Sequence, residues 1–499
     1  MQGLSSLRNP FSGWRWSWVL RDALVLCLLA LAVAAATLFG WQVLAILGAL
    51  GAVLLAAAWL LYRSGDGSRE WLLCIVLAGL LGLPMLARVA AVGLFGPWQL
   101  ALLGISVLGI GRFAADVRQS GWLKLAVWAF GVSLVLALVS SWAGRTRPVA
   151  GAYQLFSDLK PLLLVCLGYA LRWDDSTERW LWRVVKWAWL PMLLFVIFEW
   201  AAPGAYFQLL YRGAGSPSAD PTGLLPSRAI GLFEHPSFLA SISALFALLC
   251  MGRTCSVVRG EGARWGWLVV VYGLLIVCSV QRQEMVACAL ALAVIVLLSR
   301  PDKLVRNLMI VALVAAPVVV AFVFVFADNI QREMAYWGLG PATTAIEIPR
   351  AQLFVGAFHV AQQHFPLGSG LGTYAGAGAE KFDASLYYEL GFRNYWWFGK
   401  QDFLMDTYWP NPIAEMGFAG AGFLLLSYLA LLCHAVSRAR RERYGVAHGY
   451  WLAAAGMMLY TLVLSISSPA FQDPRLFVIP AIMFGVASWQ AKREAHALR

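Results

Sequence analysis

Apolar residues follow one another in long runs along most of the chain, and each run is bounded by charged residues or by Pro and Gly. Since a helix needs about 20 mostly apolar residues to span a membrane, these runs predict about fourteen spanning helices. The predicted spans lie near 23–39, 42–62, 71–93, 98–115, 125–142, 155–172, 187–202, 236–252, 265–281, 284–299, 307–327, 411–436, 450–467 and 475–490. The pattern therefore predicts an all-α fold, a polytopic membrane protein.

Two connecting segments are longer than turns. Residues 203–235 are rich in Pro, Gly and Ser, which favours irregular backbone over another span. Residues 328–410 form a connection of roughly 80 residues, far beyond an ordinary loop, so we expect it to be functional and to contain helices. Its stretch 347–364 predicts an amphipathic helix that breaks at Pro366. The apolar side of that helix consists of Leu353, Phe354, Ala357 and Val360.

These features divide the chain into four parts. We expect an N-terminal transmembrane bundle (1–227), core transmembrane helices (228–327), a large loop (328–410) and C-terminal transmembrane helices (411–499).

The composition agrees with a membrane location. Charged residues make up only 13% of the chain, against roughly 25% in an ordinary soluble domain, which excludes a soluble enzyme. The net charge of +12 lies largely in alternate short loops, as expected for loops that face the cytoplasm. We therefore expect both termini in the cytoplasm and no nucleic-acid partner. The basic loops contain Arg63, Arg69, Arg118, Lys124, Arg179, Arg183, Lys186, Arg253, Arg259, Arg264, Arg300, Lys303, Arg306, Arg438, Arg440, Arg441, Arg443, Lys492 and Arg493.

A second set of cations falls on the opposite, translocated side of the predicted topology. Charged side chains near the membrane cost free energy and usually have an anionic partner. That partner could be a nearby acid, such as Glu234, Glu284 or Glu347, or an anionic ligand whose phosphate oxygens match the guanidinium forks. The cations are Arg228, Arg282, Arg332, Arg350, Arg393 and Lys400.

The sequence predicts no metal site, no disulfide framework and no cofactor. None of the eight cysteines belongs to a CxxC pair. The acids of the large loop show neither a DxD motif nor another metal-binding spacing.

Four short motifs occur in a fixed order between residues 228 and 420. They are Arg228-Ala-Ile-Gly-Leu-Phe-Glu-His235-Pro, Ser279-Val-Gln-Arg282, Arg350 followed by Pro366-Leu-Gly-Ser-Gly370-Leu-Gly372-Thr-Tyr374, and Asp406-Thr-Tyr-Trp-Pro-Asn-Pro-Ile-Ala-Glu415-Met-Gly417. In this order they resemble the O-antigen ligase and polymerase superfamily, integral-membrane glycosyltransferases of the GT-C type that use polyprenyl-pyrophosphate-linked glycans. The rest of the chain adds only a compatible multispan pattern.

The chain departs from the family pattern at one informative position. Ligases of this family typically have His before Asn where this chain has Asp406 and Thr407. Related polymerases often have Asp there, so by analogy the substitution favours a polymerase.

The resemblance implies that an acceptor hydroxyl attacks the anomeric carbon of a sugar whose leaving group is a lipid-linked pyrophosphate. Arg228 and Arg282 are then the expected catalytic clamp on the diphosphate, and Arg350 is expected to bind it as well. Asp406 is the expected general base; alternatively, it caps the following helix. His235, His359 and His364 are rival bases, and His235 could instead contact the pyrophosphate.

Further substrate-binding candidates lie in the glycine-rich motif. Gly370 and Gly372 could let backbone N–H groups approach phosphate, or they could form a tight turn, and Tyr374 follows them. The aromatic residues of the large loop could stack on sugars, although an interfacial belt predicts the same residues. These aromatics are Trp337, Tyr387, Tyr388, Tyr395, Trp396, Trp397, Tyr408 and Trp409.

The resemblance implies a metal-independent, inverting polymerase in the bacterial inner membrane. It would transfer an undecaprenyl-pyrophosphate-linked glycan onto a lipid-linked repeat at the periplasmic face, with a flippase and a chain-length regulator as partners. One alternative is an O-antigen ligase that uses the lipid A core as acceptor. A flippase or other transporter is the second alternative, but it should show broken, repeated helices and charges near the middle of the membrane.

Overall fold

The structure is a computed structural model. The described residues are 70–84, 95–171, 173–211, 218, 220, 225–256, 262–299, 305–306, 308–309, 313, 349–399, 403–442 and 445–497. Several predicted features lie outside the described residues. They are the spans 23–39 and 42–62, nearly all of the span 307–327, and Arg332, Trp337, Glu347 and Lys400. The chain divides into two units, Met1–Gly67 and Ser68–Arg499, and the description concerns the second.

The described part of the chain is mainly helical and contains no strand. The helices are α1 (Glu70–Leu81), α2 (Phe95–Ser106), α3 (Ile110–Gln119), α4 (Gly121–Ala143), α5 (Pro148–Ala170), α6 (Asp175–Trp187), α7 (Trp189–Ala201), α8 (Pro203–Tyr211), α9 (Pro236–Ser256), α10 (Gly262–Cys278), α11 (Arg282–Ser299), α12 (Pro349–Gln363), α13 (Ala377–Phe382), α14 (Ser385–Glu389), α15 (Pro410–Arg441), α16 (Val446–Leu464) and α17 (Pro474–Ala497). The predicted all-α class is therefore confirmed.

Seven stretches of helix among the described residues are long and apolar enough to cross a membrane. Two of these stretches join neighbouring helices, α2 with α3 and α6 with α7. The other five are single helices: α4, α9, α11, α15 and α16. The total of fourteen spans remains a prediction.

Six of the seventeen α-helices in the described part of the chain begin at a proline. Proline is well suited to the first helical position because the N–H that it lacks would have no partner inside the helix. Other helices begin at a polar cap: the Ser120 side chain accepts from the Leu123 N–H, and the Asp174 side chain accepts from the Thr177 N–H. The proline starts are Pro148, Pro203, Pro236, Pro349, Pro410 and Pro474.

The long helices pack closely through small residues. Helix α17 lies along α5, where a Cβ added to Gly485 would come within 2.1 Å of the Gly168 carbonyl carbon. Membrane helices approach one another in this way because small residues let their backbones come close. Helix α15 packs likewise along α4, and α9 packs along α10 and α16.

The bundle has two distinct ends. We call the end at which α5, α9, α11, α15 and α17 begin the upper end, and the opposite end the lower end. At the upper end, the Tyr408 N–H donates to the Ser465 carbonyl, 3.3 Å away. At the lower end, Arg253 pairs with Glu178, and Ser120 Oγ lies 2.9 Å from His434 Nδ1.

The large loop contains the helix that its sequence predicts. Helix α12 covers Pro349–Gln363, and Leu353, Ala357 and Val360 on its apolar side are buried. It ends before Pro366, as expected. The segment 203–235 differs from the prediction of irregular backbone, because it begins with the short helix α8.

Several loop aromatics form a core of their own beneath α12. Tyr387 and Trp397 are fully buried there, together with Tyr374 and Phe392. Tyr408 is also buried. An interfacial belt is therefore the wrong interpretation for Tyr387, Trp397 and Tyr408, because their rings pack against protein on all sides.

Candidate functional site

The segment that carries Arg228 and His235 is held by a buried carboxylate. Glu199, at the upper end of α7, accepts from the backbone N–H groups of Ile230 and Gly231 at 2.8 and 2.9 Å. The Tyr206 hydroxyl donates to the Gly231 carbonyl at 2.6 Å. The turn is therefore fixed before any ligand binds.

The same segment is joined to the turn that precedes α11. The Ala229 N–H donates to the Cys278 carbonyl at 3.0 Å, and Arg282 is the first residue of α11. Arg228 and Arg282, the two predicted clamp residues, thus lie on adjoining stretches of chain at the upper end. Both side chains are partly buried.

Arg350 and Asp406 form an ion pair. Arg350 Nε lies 2.5 Å from Asp406 Oδ2, and the side chains are 29% and 31% exposed. The capping alternative for Asp406 is wrong, because Trp409 occupies the cap position of α15 and no side chain caps that helix. Glu284, buried in the first turn of α11, lies within electrostatic reach of Arg350.

His235 has a defined tautomer. The Ser237 backbone N–H donates to His235 Nδ1 at 3.2 Å, and the Ser237 hydroxyl lies 2.8 Å from the same nitrogen. Because Nδ1 accepts, the neutral imidazole carries its proton on Nε2. The free face of His235 is therefore a hydrogen-bond donor, suited to an anionic oxygen rather than to proton abstraction.

Charges from three other segments surround His235. Partial exclusion of water by the surrounding protein lowers the pKa of this exposed imidazole below its ordinary value. The charge of Asp406 raises the pKa, and those of Arg228, Arg350 and Arg475 lower it further. The structure thus brings three other predicted site residues and one unpredicted arginine within electrostatic reach of His235.

The two rival histidines, His359 and His364, form hydrogen bonds with residues of α12. His359 Nε2 lies 2.9 Å from Gln363 Nε2, one turn along the helix. His364 Nδ1 lies 3.0 Å from the Val360 carbonyl, which can only accept. Each of these imidazoles therefore already has a protein partner.

The glycine-rich motif binds a protein carboxylate. Glu415 Oε1 accepts from the N–H groups of Thr373 and Tyr374, both at 2.9 Å. Gly370 and Gly372 have φ of 98° and 74°, where a side chain is strained. The motif is therefore a tight turn whose neighbouring amides serve the protein interior.

Tyr374 is part of the protein interior. Its side chain is fully buried, and its hydroxyl donates to the Leu353 carbonyl at 3.0 Å. It stacks on Tyr387. Tyr374 therefore supports the loop and has no exposed surface for a ligand.

Sequence reasoning did not identify two residues that shape this site. Glu199 lies within an apolar stretch, and Arg475 is the second residue of α17. For Arg475 a signal was present, since it follows Asp473 and Pro474 at a predicted external helix start, much as Arg282 begins α11. The chain matches no known protein family and no curated protein.

Proposed function

We propose that this protein is a glycan polymerase of the bacterial inner membrane. It transfers an undecaprenyl-pyrophosphate-linked oligosaccharide onto a lipid-linked repeat, with inversion at the anomeric carbon. The upper end faces the periplasm and the lower end faces the cytoplasm.

The convergence of charge at the upper end carries the proposal. Arg228 and His235 lie on one segment and Arg350 and Asp406 on two others, yet the charges of the other three residues all act on His235. Several helices also begin at this end, where the positive end of each helix dipole favours an anion. A diphosphate is the ligand that fits this set of groups.

The reaction follows from these groups. The acceptor hydroxyl attacks the anomeric carbon while the Asp406 carboxylate takes its proton. The bond from that carbon to the pyrophosphate oxygen breaks, and the electron pair leaves with the diphosphate. Arg228 and Arg282 stabilise the charge that develops on the leaving group, and His235 donates from Nε2.

The ion pair of Arg350 and Asp406 links donor binding to proton transfer. In the free protein the Arg350 guanidinium occupies Asp406 Oδ2, so that this oxygen does not face an acceptor hydroxyl. A diphosphate beside Arg350 competes for the guanidinium and releases Asp406. The base is thus freed when the donor is in place.

Single replacement of the proposed site residues tests the proposal. We expect Arg228→Gln and Arg282→Gln each to reduce transfer by about 10²–10³-fold, since each removes a donor to the developing charge. The measurement is the chain-length distribution of the surface glycan in a strain that lacks the gene. The control is Arg393→Gln, which changes an exposed arginine of the large loop; normal long chains from both test variants contradict the proposal.

The same strain separates a polymerase from a ligase. Without a polymerase, single lipid-linked repeats accumulate. In a strain without a ligase, long chains remain on undecaprenyl pyrophosphate. Accumulation of long chains therefore assigns the site to the ligase reaction.

A further inference from the structure

Arg475 has an unusually complete set of partners. Its Nε lies 3.0 Å from both carboxylate oxygens of Asp473, and its Nη2 lies 2.6 Å from Oδ2 of the same carboxylate. Its Nη1 donates to Glu234 Oε2 at 2.9 Å. Arg475 therefore joins the start of α17 to the segment before α9.

Aromatic rings pack against the same guanidinium. The central carbon of Arg475 lies 4.5 Å from the ring centroid of Phe95 and 4.0 Å from that of Phe238. Arginine stacks on aromatic rings while its edge donates hydrogen bonds, and lysine cannot do both. The site therefore requires a planar guanidinium as well as a positive charge.

The contacts of Arg475 flank His235 on both sides. Glu234 immediately precedes His235, and Phe238 lies three residues after it, in the first turn of α9. Arg475 holds both of these residues, with Pro236 between them. The position of the imidazole is thus set from α17, far away in the sequence.

We propose that Arg475 is a positioning residue that holds His235 in place to donate to the diphosphate of the donor, a role that rests on the proposed function. Arg475 does not itself bind the donor. The carboxylates of Asp473 and Glu234 accept the hydrogen bonds of its N–H groups. The rings of Phe95 and Phe238 pack against the guanidinium. It acts through Glu234 and Phe238.

A double-mutant cycle with His235 tests this role. We expect Arg475→Gln and His235→Gln each to raise the KM for the lipid-linked donor, by up to about 10²-fold where the imidazole is misplaced. The KM of the double variant should be close to that of each single variant, since Arg475 acts through His235. Arg475→Lys should behave like Arg475→Gln, because lysine keeps the charge but loses the planar fork. The assay uses purified full-length protein.

Arg493→Gln is the matched control. Arg493 lies on the same helix as Arg475 but at the lower end, where it pairs with Asp175. It should leave the KM unchanged. The inference is overturned if the KM increases of the two single variants multiply in the double variant. Full activity of Arg475→Lys overturns it as well.

A readout without catalysis separates this inference from the proposed function. The chain has only six histidines, and the imidazole NMR signal that disappears in His235→Gln belongs to His235. We expect that signal to move in Arg475→Lys and to stay in place in Arg493→Gln. An unmoved signal in Arg475→Lys overturns the inference; a signal that moves in Arg475→Lys, while the wild-type protein transfers no glycan, refutes only the proposed function.

Discussion

Arg350 Nε and Asp406 Oδ2 form an ion pair at the upper end. Their contact of 2.5 Å is partly exposed, so that a ligand can reach it. Surface ion pairs contribute little to stability, typically about 0–1 kcal/mol. The pair is therefore easily opened by a ligand that offers Arg350 a second anion.

Replacement of Asp406 by Asn separates donor binding from proton transfer. We expect Asp406→Asn to lower turnover by about 10²–10⁴-fold, since the proton acceptor is lost. The KM for the donor should stay unchanged or fall, because Arg350 no longer shares its charge with a carboxylate. Steady-state kinetics measure the turnover number and the KM for the donor, and circular dichroism checks that the variant is folded. A KM that rises as turnover falls would show that Asp406 serves binding instead.

Sequence reasoning found the residues that lie in motifs and missed those defined by distant partners. Arg350 and Asp406 were identified separately, but no pattern indicated that they pair. Arg475 was missed because Glu234 and Phe95 are remote in the sequence and only the fold brings them together. The roles of Gly370 and Tyr374 depend likewise on Glu415 and Leu353, which local sequence does not reveal.

Helix α15 is the element that fixes the loop to the bundle. Its Asn411 side chain donates to the Tyr374 carbonyl at 2.8 Å and accepts from Gln154 Nε2 at 3.1 Å. Gln472 Nε2 approaches the same Asn411 oxygen at 3.4 Å. One amide thus joins α5, α15, the glycine-rich segment and the segment before α17.

Truncation of this amide should loosen the loop. We expect Asn411→Ala to destabilise the protein by about 1–3 kcal/mol, because buried donors and an acceptor lose their partner. Thermal unfolding in detergent measures the loss. Asn394→Ala changes an exposed asparagine of the same loop and should stay within about 0.5 kcal/mol. Equal melting temperatures for the two variants contradict the role given to Asn411.

Local pattern predicted α12 well and α8 poorly, for physical reasons. In α12, apolar residues recur at helical spacing over about two turns, and Leu353, Ala357 and Val360 are buried as that spacing requires. In α8, Pro203 and Gly204 suggested a break. They stand at the first two helical positions, where proline is tolerated and the helix has no internal bonds to lose.

The two ends of the molecule differ in the charge that they carry. Basic residues gather at the lower end, as in loops that stay in the cytoplasm. Pairing with acids occurs at both ends, as Arg145 with Glu389 and Arg147 with Asp383 show at the upper end and Arg253 with Glu178 at the lower end. The lower-end cations include Arg118, Lys124, Arg253, Arg438, Arg440, Arg441, Lys492 and Arg493.

This asymmetry predicts the orientation of the protein in the membrane. In a variant without native cysteines, Lys381→Cys marks the upper end and Arg440→Cys marks the lower end; both positions are exposed. We expect a membrane-impermeant maleimide to label only the upper-end cysteine in intact spheroplasts, and to label both after permeabilisation. Labelling of only the lower-end cysteine in intact cells would place the arginines in the cytoplasm. The upper-end arginines could not then bind a donor presented at the periplasmic face. The polymerase proposal would be refuted together with the proposed orientation.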